Sequence, residues 1–175
     1  MGETATGTTA DTSADTPVGT GTPAIKGWFT SGPTPALLAS RCTTCGSVFF
    51  PRMEGFCRNP ACQGEEFEVT ELSRRGRVWS YTDAQYQPPP PYIPAADPYV
   101  PFALAAVELP EGLVVLGQLA DGYGVTDVSV GTEVELVVET LYADESGART
   151  IWRWKPSPPV EPPPVEPVET READA

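Results

Sequence analysis

The chain has 175 residues and a formal net charge of -13, from 24 acidic against 11 basic side chains. That balance repels phosphate backbones at long range and argues against a general nucleic-acid binder. There is no histidine, which removes imidazole as general base, triad member or metal ligand.

Residues 1–24 are mostly Thr, Gly, Ala, Ser and Asp with almost nothing apolar to bury, and residues 157–175 read SPPVEPPPVEPVETREADA. Neither segment can offset the entropy of ordering its backbone, so both are expected to be disordered. The acidic, Pro-rich tail favours extended polyproline conformers. About 130 residues remain, the size of one compact domain. No apolar run is long enough to span a bilayer, so no membrane is expected. The N-terminus lacks the basic start and apolar stretch of a secretory signal. A cytoplasmic location follows, in which thiols stay reduced.

Residues 25–41 (IKGWFTSGPTPALLASR) suggest a short helical arm. Thr34 and Pro35 resemble a helix start with Pro at the first helical position, and Ala36–Ala39 would continue it. Trp28 and Phe29 most simply anchor this arm by packing, with contact to a partner as the sharper alternative. Residues 42–72 form the next unit, in which Val48–Phe50 and Glu66–Leu72 read as strands around two Cys pairs. From residue 73 to 156 the pattern is β, with strands expected at Arg77–Tyr86, Phe102–Leu109, Leu113–Leu119, Thr132–Thr140 and Thr150–Trp154. Pro110–Gly112 and Asp144–Gly147 supply hairpin turns. Five strands with short turns fit a small closed barrel of the OB type. The interruption Gln87–Pro101 (QPPPPYIPAADPYVP) cannot be a regular strand, and a loop of that length in a compact domain is usually functional or disordered.

The four cysteines, Cys42, Cys45, Cys57 and Cys62, are spaced C-x2-C, eleven residues, C-x4-C. Two close pairs separated by a strand-length connection suit a tetrahedral four-thiolate site for a soft dication. In a reduced compartment such a set points to structural Zn2+ ahead of disulfides, buried thiols or a redox dithiol. Iron takes the same ligand set, and the spacing leaves that choice open. With four protein ligands, no coordination position is left for substrate.

Arg41, Arg52, Arg58, Arg74, Arg75 and Arg77 are a large share of the basic residues. Guanidinium groups grip phosphate bidentately, so Arg52, Arg74 and Arg75 are candidate contacts for coenzyme A phosphates. Glu54, Glu65, Glu66, Glu68 and Glu71 share the region, and ordinary surface charge is the simpler account. Trp79, Tyr81, Trp152 and Trp154 alternate at strand spacing; packing on two barrel faces is expected over a base-stacking surface. No phosphate loop, dinucleotide fingerprint or nucleophile elbow occurs, so no catalytic residue is expected.

The order of parts resembles the DUF35 family. The likeness runs from about Ile25 to Pro156 and rests on RCTTCGSVFFPR, on Cys57 and Cys62, and on GRVWSYT opening the barrel. It implies a mainly β protein: a short N-terminal helical arm, a rubredoxin-like zinc ribbon and a five-stranded OB-fold barrel, with disordered ends. It also implies a non-catalytic accessory subunit for a thiolase-like partner, either an acyl-CoA acetyltransferase or a sterol-carrier-type aldolase of lipid or steroid side-chain metabolism. There it would help form an acyl-CoA site. The alternative is a stand-alone module binding acyl-CoA or single-stranded nucleic acid.

Overall fold

The computed structural model describes residues 21–92, 94 and 96–157. The disorder expected of residues 1–20 and 158–175 lies outside the described residues. Nine strands follow in order: β1 Thr22–Pro23, β2 Leu38–Cys42, β3 Val48–Phe49, β4 Phe67–Glu71, β5 Arg75–Ala84, β6 Phe102–Glu108, β7 Val114–Leu119, β8 Glu133–Asp144 and β9 Gly147–Pro156. No α-helix occurs among the described residues, and the single helical turn is a 3-10 turn at Val125–Asp127.

The expected helical arm at residues 25–41 is therefore corrected. Phe29 and Leu37 form an antiparallel bridge, Leu38 N–H donates to Trp28 O at 2.7 Å, and β2 begins at Leu38. The reason is burial on all sides. Ala36, Leu37 and Ala39 are each 3% exposed or less, and so short an apolar run cannot nucleate a helix against strand neighbours already in place. Residues 22–24, expected within the disordered head, also hold regular structure. β1 runs parallel to β9, and Ala24 N–H donates to Thr150 O at 2.8 Å.

Strands β3-β2-β4 form a small antiparallel sheet, while β5–β9 close a barrel in the order β5-β6-β7-β9-β8-β5. Alternation explains the barrel directly. Ala103, Ala105 and Val107 of β6 point inward with Val134, Leu136 and Val138 of β8, all 6% exposed or less. Thr150, Trp152 and Trp154 of β9 join them from the last strand. The observed strands lie within a few residues of the expected ones; the β8–β9 hairpin is longer, pairing as far as Asp144–Gly147.

Ribbon and barrel meet at a knot of rings. Trp152 lies 5.9 Å from Trp28, 5.7 Å from Phe29 and 6.1 Å from Phe50, centroid to centroid. Trp28 and Phe29 are thus packing residues, as expected. Ser73 N–H, at the exit of the ribbon, donates to Glu111 Oε1 of the β6–β7 hairpin at 2.7 Å. Trp79 departs from expectation. A register shift between Val78 and Ser80 leaves it outside the barrel at 61% exposure, with Tyr81 at 39%.

Candidate functional site

The end of β2 places Cys42, and a tight turn returns the chain to β3. Gly46 N–H donates to Cys42 O at 2.9 Å with Gly46 at φ +74°, a left-handed conformation that brings Cys45 beside Cys42. The second pair sits on a wider knuckle. Cys57 N–H donates to Gly64 O at 2.8 Å and Cys62 N–H to Asn59 O at 2.9 Å. Ala61 N–H is held by Asn59 Oδ1 at 3.0 Å. That side-chain turn takes up the two extra residues of the x4 spacing.

The four Sγ atoms all lie within 4.8 Å of one another. Cys42–Cys62 is 3.8 Å and Cys45–Cys57 is 3.6 Å between sulfurs. A tetrahedron with metal–sulfur bonds of about 2.3 Å has edges of about 3.8 Å, so the donor set fits a single four-coordinate ion. Gly64 makes this closeness possible. A Cβ there would stand 2.6 Å from Thr44 Oγ1 and 3.0 Å from Cys42 Sγ. Its own N–H points at Cys62 Sγ at 3.3 Å.

Electrostatics divide the four thiols. The Ser47 hydroxyl, and then its backbone N–H, bring Cys45 down to about 6, whereas burial pushes Cys57 up to about 12. Backbone N–H groups led by that of Cys45 lower Cys42 as well. Four thiolates in so small a space repel each other, and a bound cation reverses that cost by deprotonating its ligands outright. Cys42 and Cys57 are buried, Cys62 is half-buried and Cys45 exposed, so the centre lies at the surface of the ribbon.

The three candidate arginines do not share one depression. Arg52 lines a shallow hollow with Lys26, Trp28 and Glu54. Arg75 lines another with Arg77, Glu108 and Glu133, and its guanidinium stands 3.7 Å from Glu135. Arg74 is half-buried beside it in sequence, and its carbonyl accepts from Leu136 N–H at 2.7 Å.

Two features escaped sequence reasoning. One is a cleft of about 710 Å3 across the outer face of β6, β7 and β9, walled on one side by the proline-rich loop. Tyr92 and Tyr99 of that loop pack on Phe102, and Tyr99 Oη donates to Ala84 O at 2.7 Å. The other is an ionic cluster at the cleft edge. Arg153 pairs with Glu139 at 3.2 Å and with Asp121, and Asp121 N–H donates to Glu139 Oε2 at 3.0 Å. Burial raises the Glu139 carboxyl and lowers Arg153; the contact between their opposite charges offsets that cost. An arginine between two tryptophans on a strand carries no sign of a carboxylate 14 residues earlier.

A ribbon of four convergent sulfurs joined to a closed five-stranded barrel defines a class, and known proteins of that class match this chain. Residues 29–68 match the ChsH2 rubredoxin-like zinc ribbon domain, and residues 69–139 the ChsH2 C-terminal OB-fold domain. The chain belongs to the DUF35 family of ChsH2-type proteins.

Among individual relatives, a benzoylsuccinyl-CoA thiolase subunit, BbsA of Thauera aromatica, is 36% identical over 120 residues, spanning 69% of this chain and 75% of that one. A DUF35 domain-containing scaffold protein of Methanocaldococcus jannaschii is 33% identical over 123 residues, 69% of this chain and 81% of its own. The solved Ltp2-ChsH2(DUF35) aldolase superposes with a TM-score of 0.51 at 27% identity, covering 69% of this chain and 84% of that one. Among the described residues, no helix is long and apolar enough to cross a membrane.

Proposed function

We propose that this chain is a non-catalytic accessory subunit that binds a thiolase-fold partner and helps form its acyl-CoA site. The observation that carries the reading is the shared layout. The ribbon and barrel together make up the described chain from Phe29 onward, and relatives matched across both are named as a thiolase subunit and as part of an aldolase. The chain supplies no histidine, in keeping with chemistry housed in the partner. The partner is an acyl-CoA acetyltransferase or a sterol-carrier-type aldolase of lipid or steroid side-chain metabolism, acting in the cytoplasm.

Within this reading Cys42, Cys45, Cys57 and Cys62 hold one structural Zn2+. The sulfur edges of 3.6 and 3.8 Å support it, and all four positions are taken by protein, so the ion has no part in the reaction. The ribbon runs through Leu72, and the barrel unit from Ser73 to Pro156. Arg52, Arg74 and Arg75 are the side chains assigned to coenzyme A phosphates.

Co-expression with a thiolase-fold protein from the same genome is the direct test. Co-elution as one complex, with about one zinc per chain by elemental analysis, is the expected result. A chain that elutes alone beside that protein overturns the accessory role, and stoichiometric iron overturns the metal assignment. The competing reading is a stand-alone module for acyl-CoA or single-stranded nucleic acid. The cleft on the barrel face favours a ligand there, whereas the charge of -13 opposes nucleic acid. Titration of the isolated chain with coenzyme A and with oligonucleotides separates these readings.

A further inference from the structure

Strand β5 is paired unequally on its two edges. β6 runs beside it from Arg77 to Ala84, but on the other edge β8 reaches only residues 75–77. The β7–β8 loop closes the next position: Val78 N–H donates to Thr132 O at 2.9 Å, and Gly131 N–H donates to Val78 O at 2.7 Å. At the far end Tyr99 Oη donates to Ala84 O at 2.7 Å. Between these closures, among the described residues, no backbone pairs with that edge of residues 79–83. The gap is about 17 Å long at the rise of a strand. Trp79, Ser80, Tyr81 and Thr82 are all exposed along it.

An open edge is a row of unpaired N–H and C=O groups, and a chain with no use for one blunts it. Other edges of this molecule are blunted. β4 carries Glu68 and Glu71, with Glu65 and Glu66 just before it, and β1 and β3 are two residues long. Residues 79–82 have neither charge nor proline, and Trp, Tyr and Thr are types that favour strands. Trp79 is 61% exposed and Val130, the residue before Gly131, 70%, so the closed end of the gap is apolar. No residue of β5 lines the barrel-face cleft; the edge is a surface apart from it.

Unpaired backbone groups in a row are satisfied by another backbone in extended form, so the ligand for this edge is a strand. Asp83 at one end of the gap, and Asp127 in the 3-10 turn packed beside β5, put carboxylates around it. Those charges favour a neutral or basic segment. They oppose a second copy of this chain, which at -13 would meet like with like.

We propose that residues 79–83 of β5 are a docking edge, on which an extended, neutral or basic segment of the protein partner adds a strand to the barrel. The inference rests on the accessory-subunit reading for the existence of that partner; the edge itself is read from the pairing of β5.

Hydrogen exchange of the metal-loaded full chain, alone and in complex with a thiolase-fold protein from the same genome, tests it. Strand addition engages every second residue of an edge. In the complex the edge-facing amides among residues 80–83 should slow by about 10-fold, the effect of one added hydrogen bond. Their neighbours, already bonded to β6, should change little. A lysine is a common guard of exposed edges, so Trp79→Lys should weaken the complex by about 10-fold or more in titrations of the purified proteins. Val69→Lys, on the charged β4 edge at 54% exposure, should not. Absence of any complex overturns the accessory reading and the docking edge with it. A complex in which residues 80–83 exchange as in the free chain, or all slow alike, overturns the edge alone. So does a Trp79→Lys chain that binds as tightly as the native one. Protection of the edge in the chain alone that grows with its concentration overturns the proposal too, by assigning the edge to a second copy.

Discussion

In the barrel, Val107, Val134, Leu136 and Trp154 are buried to 0% exposure, while in the ribbon Val48, Phe49 and Phe67 remain half-buried and the Cys42 and Cys57 thiols lie inside. The barrel has a shared apolar interior drawn from five strands, and its stability scales with the area removed from water. The ribbon sheet has one five-residue strand flanked by one of two residues and one of five. A sheet of that size needs a staple. The two halves of one short chain thus rely on different forces, and each should fail under a different insult.

The sharpest way to break that contrast is Cys42→Ser. Removing one of four ligands should release the ion and unfold the ribbon, forfeiting metal-binding free energy on the order of 10 kcal/mol, while barrel amides stay protected in hydrogen exchange. A ribbon that keeps its metal and its protection would refute the staple. Trp154→Ala is the opposite insult. It should cost about 4 kcal/mol in denaturant unfolding, with the metal-to-chain ratio unchanged in the molecules that remain folded. Loss of metal in step with barrel unfolding would instead show the two halves to be one cooperative unit.

Arg153→Met tests the ionic cluster. It strands the Glu139 carboxylate at 6% exposure and should destabilise the barrel by about 3 kcal/mol. Part of that loss should be recovered in acid, since a proton on Glu139 removes the uncompensated charge; a loss independent of pH would assign the effect to packing alone. The smallest expected effect concerns the hairpin tip. Asp144 is held below the usual carboxylate range by the Ser146 hydroxyl and N–H. A depressed value contributes stability that is present above the unfolded-state pKa and is lost as pH falls through the folded one. The protection factors of the Ser146 and Gly147 amides, taken against their intrinsic exchange rates, should therefore fall as pH is lowered through that range, and Asp144→Asn should abolish that fall while leaving the ribbon untouched.

Much of the fold was legible in the sequence, because period-two burial leaves its mark residue by residue. Ala103, Ala105 and Val107 alternate with their outward neighbours, and the Cys spacing marks the four sulfurs that converge. What escaped was set by partners distant in the chain. Ala36–Ala39 read as a helix because nothing local reveals that Leu72 N–H will donate to Leu37 O at 2.9 Å. Trp79 was expected to pack, but a bulge is a property of two strands and cannot be seen in one. Arg153 and Asp121 are separated by 32 residues. Gly64 is a visible signal, a glycine two places after Cys62, but what requires it is Thr44 and Cys42 packed against it, which no local pattern shows.

The ring knot at Trp152 has a mechanical consequence. It joins Trp28, Phe29 and Phe50 of the ribbon side to a strand laddered along β8 from Val134–Pro156 to Asp144–Gly147. A load applied to the ribbon therefore reaches the barrel through the Trp152 indole as well as through the Ser73–Glu111 hydrogen bond, and from Trp152 it is carried in shear by that ladder, whose hydrogen bonds resist together rather than one at a time. A protein gripping the ribbon holds the barrel as a rigid lever, its orientation set by four rings rather than by a linker.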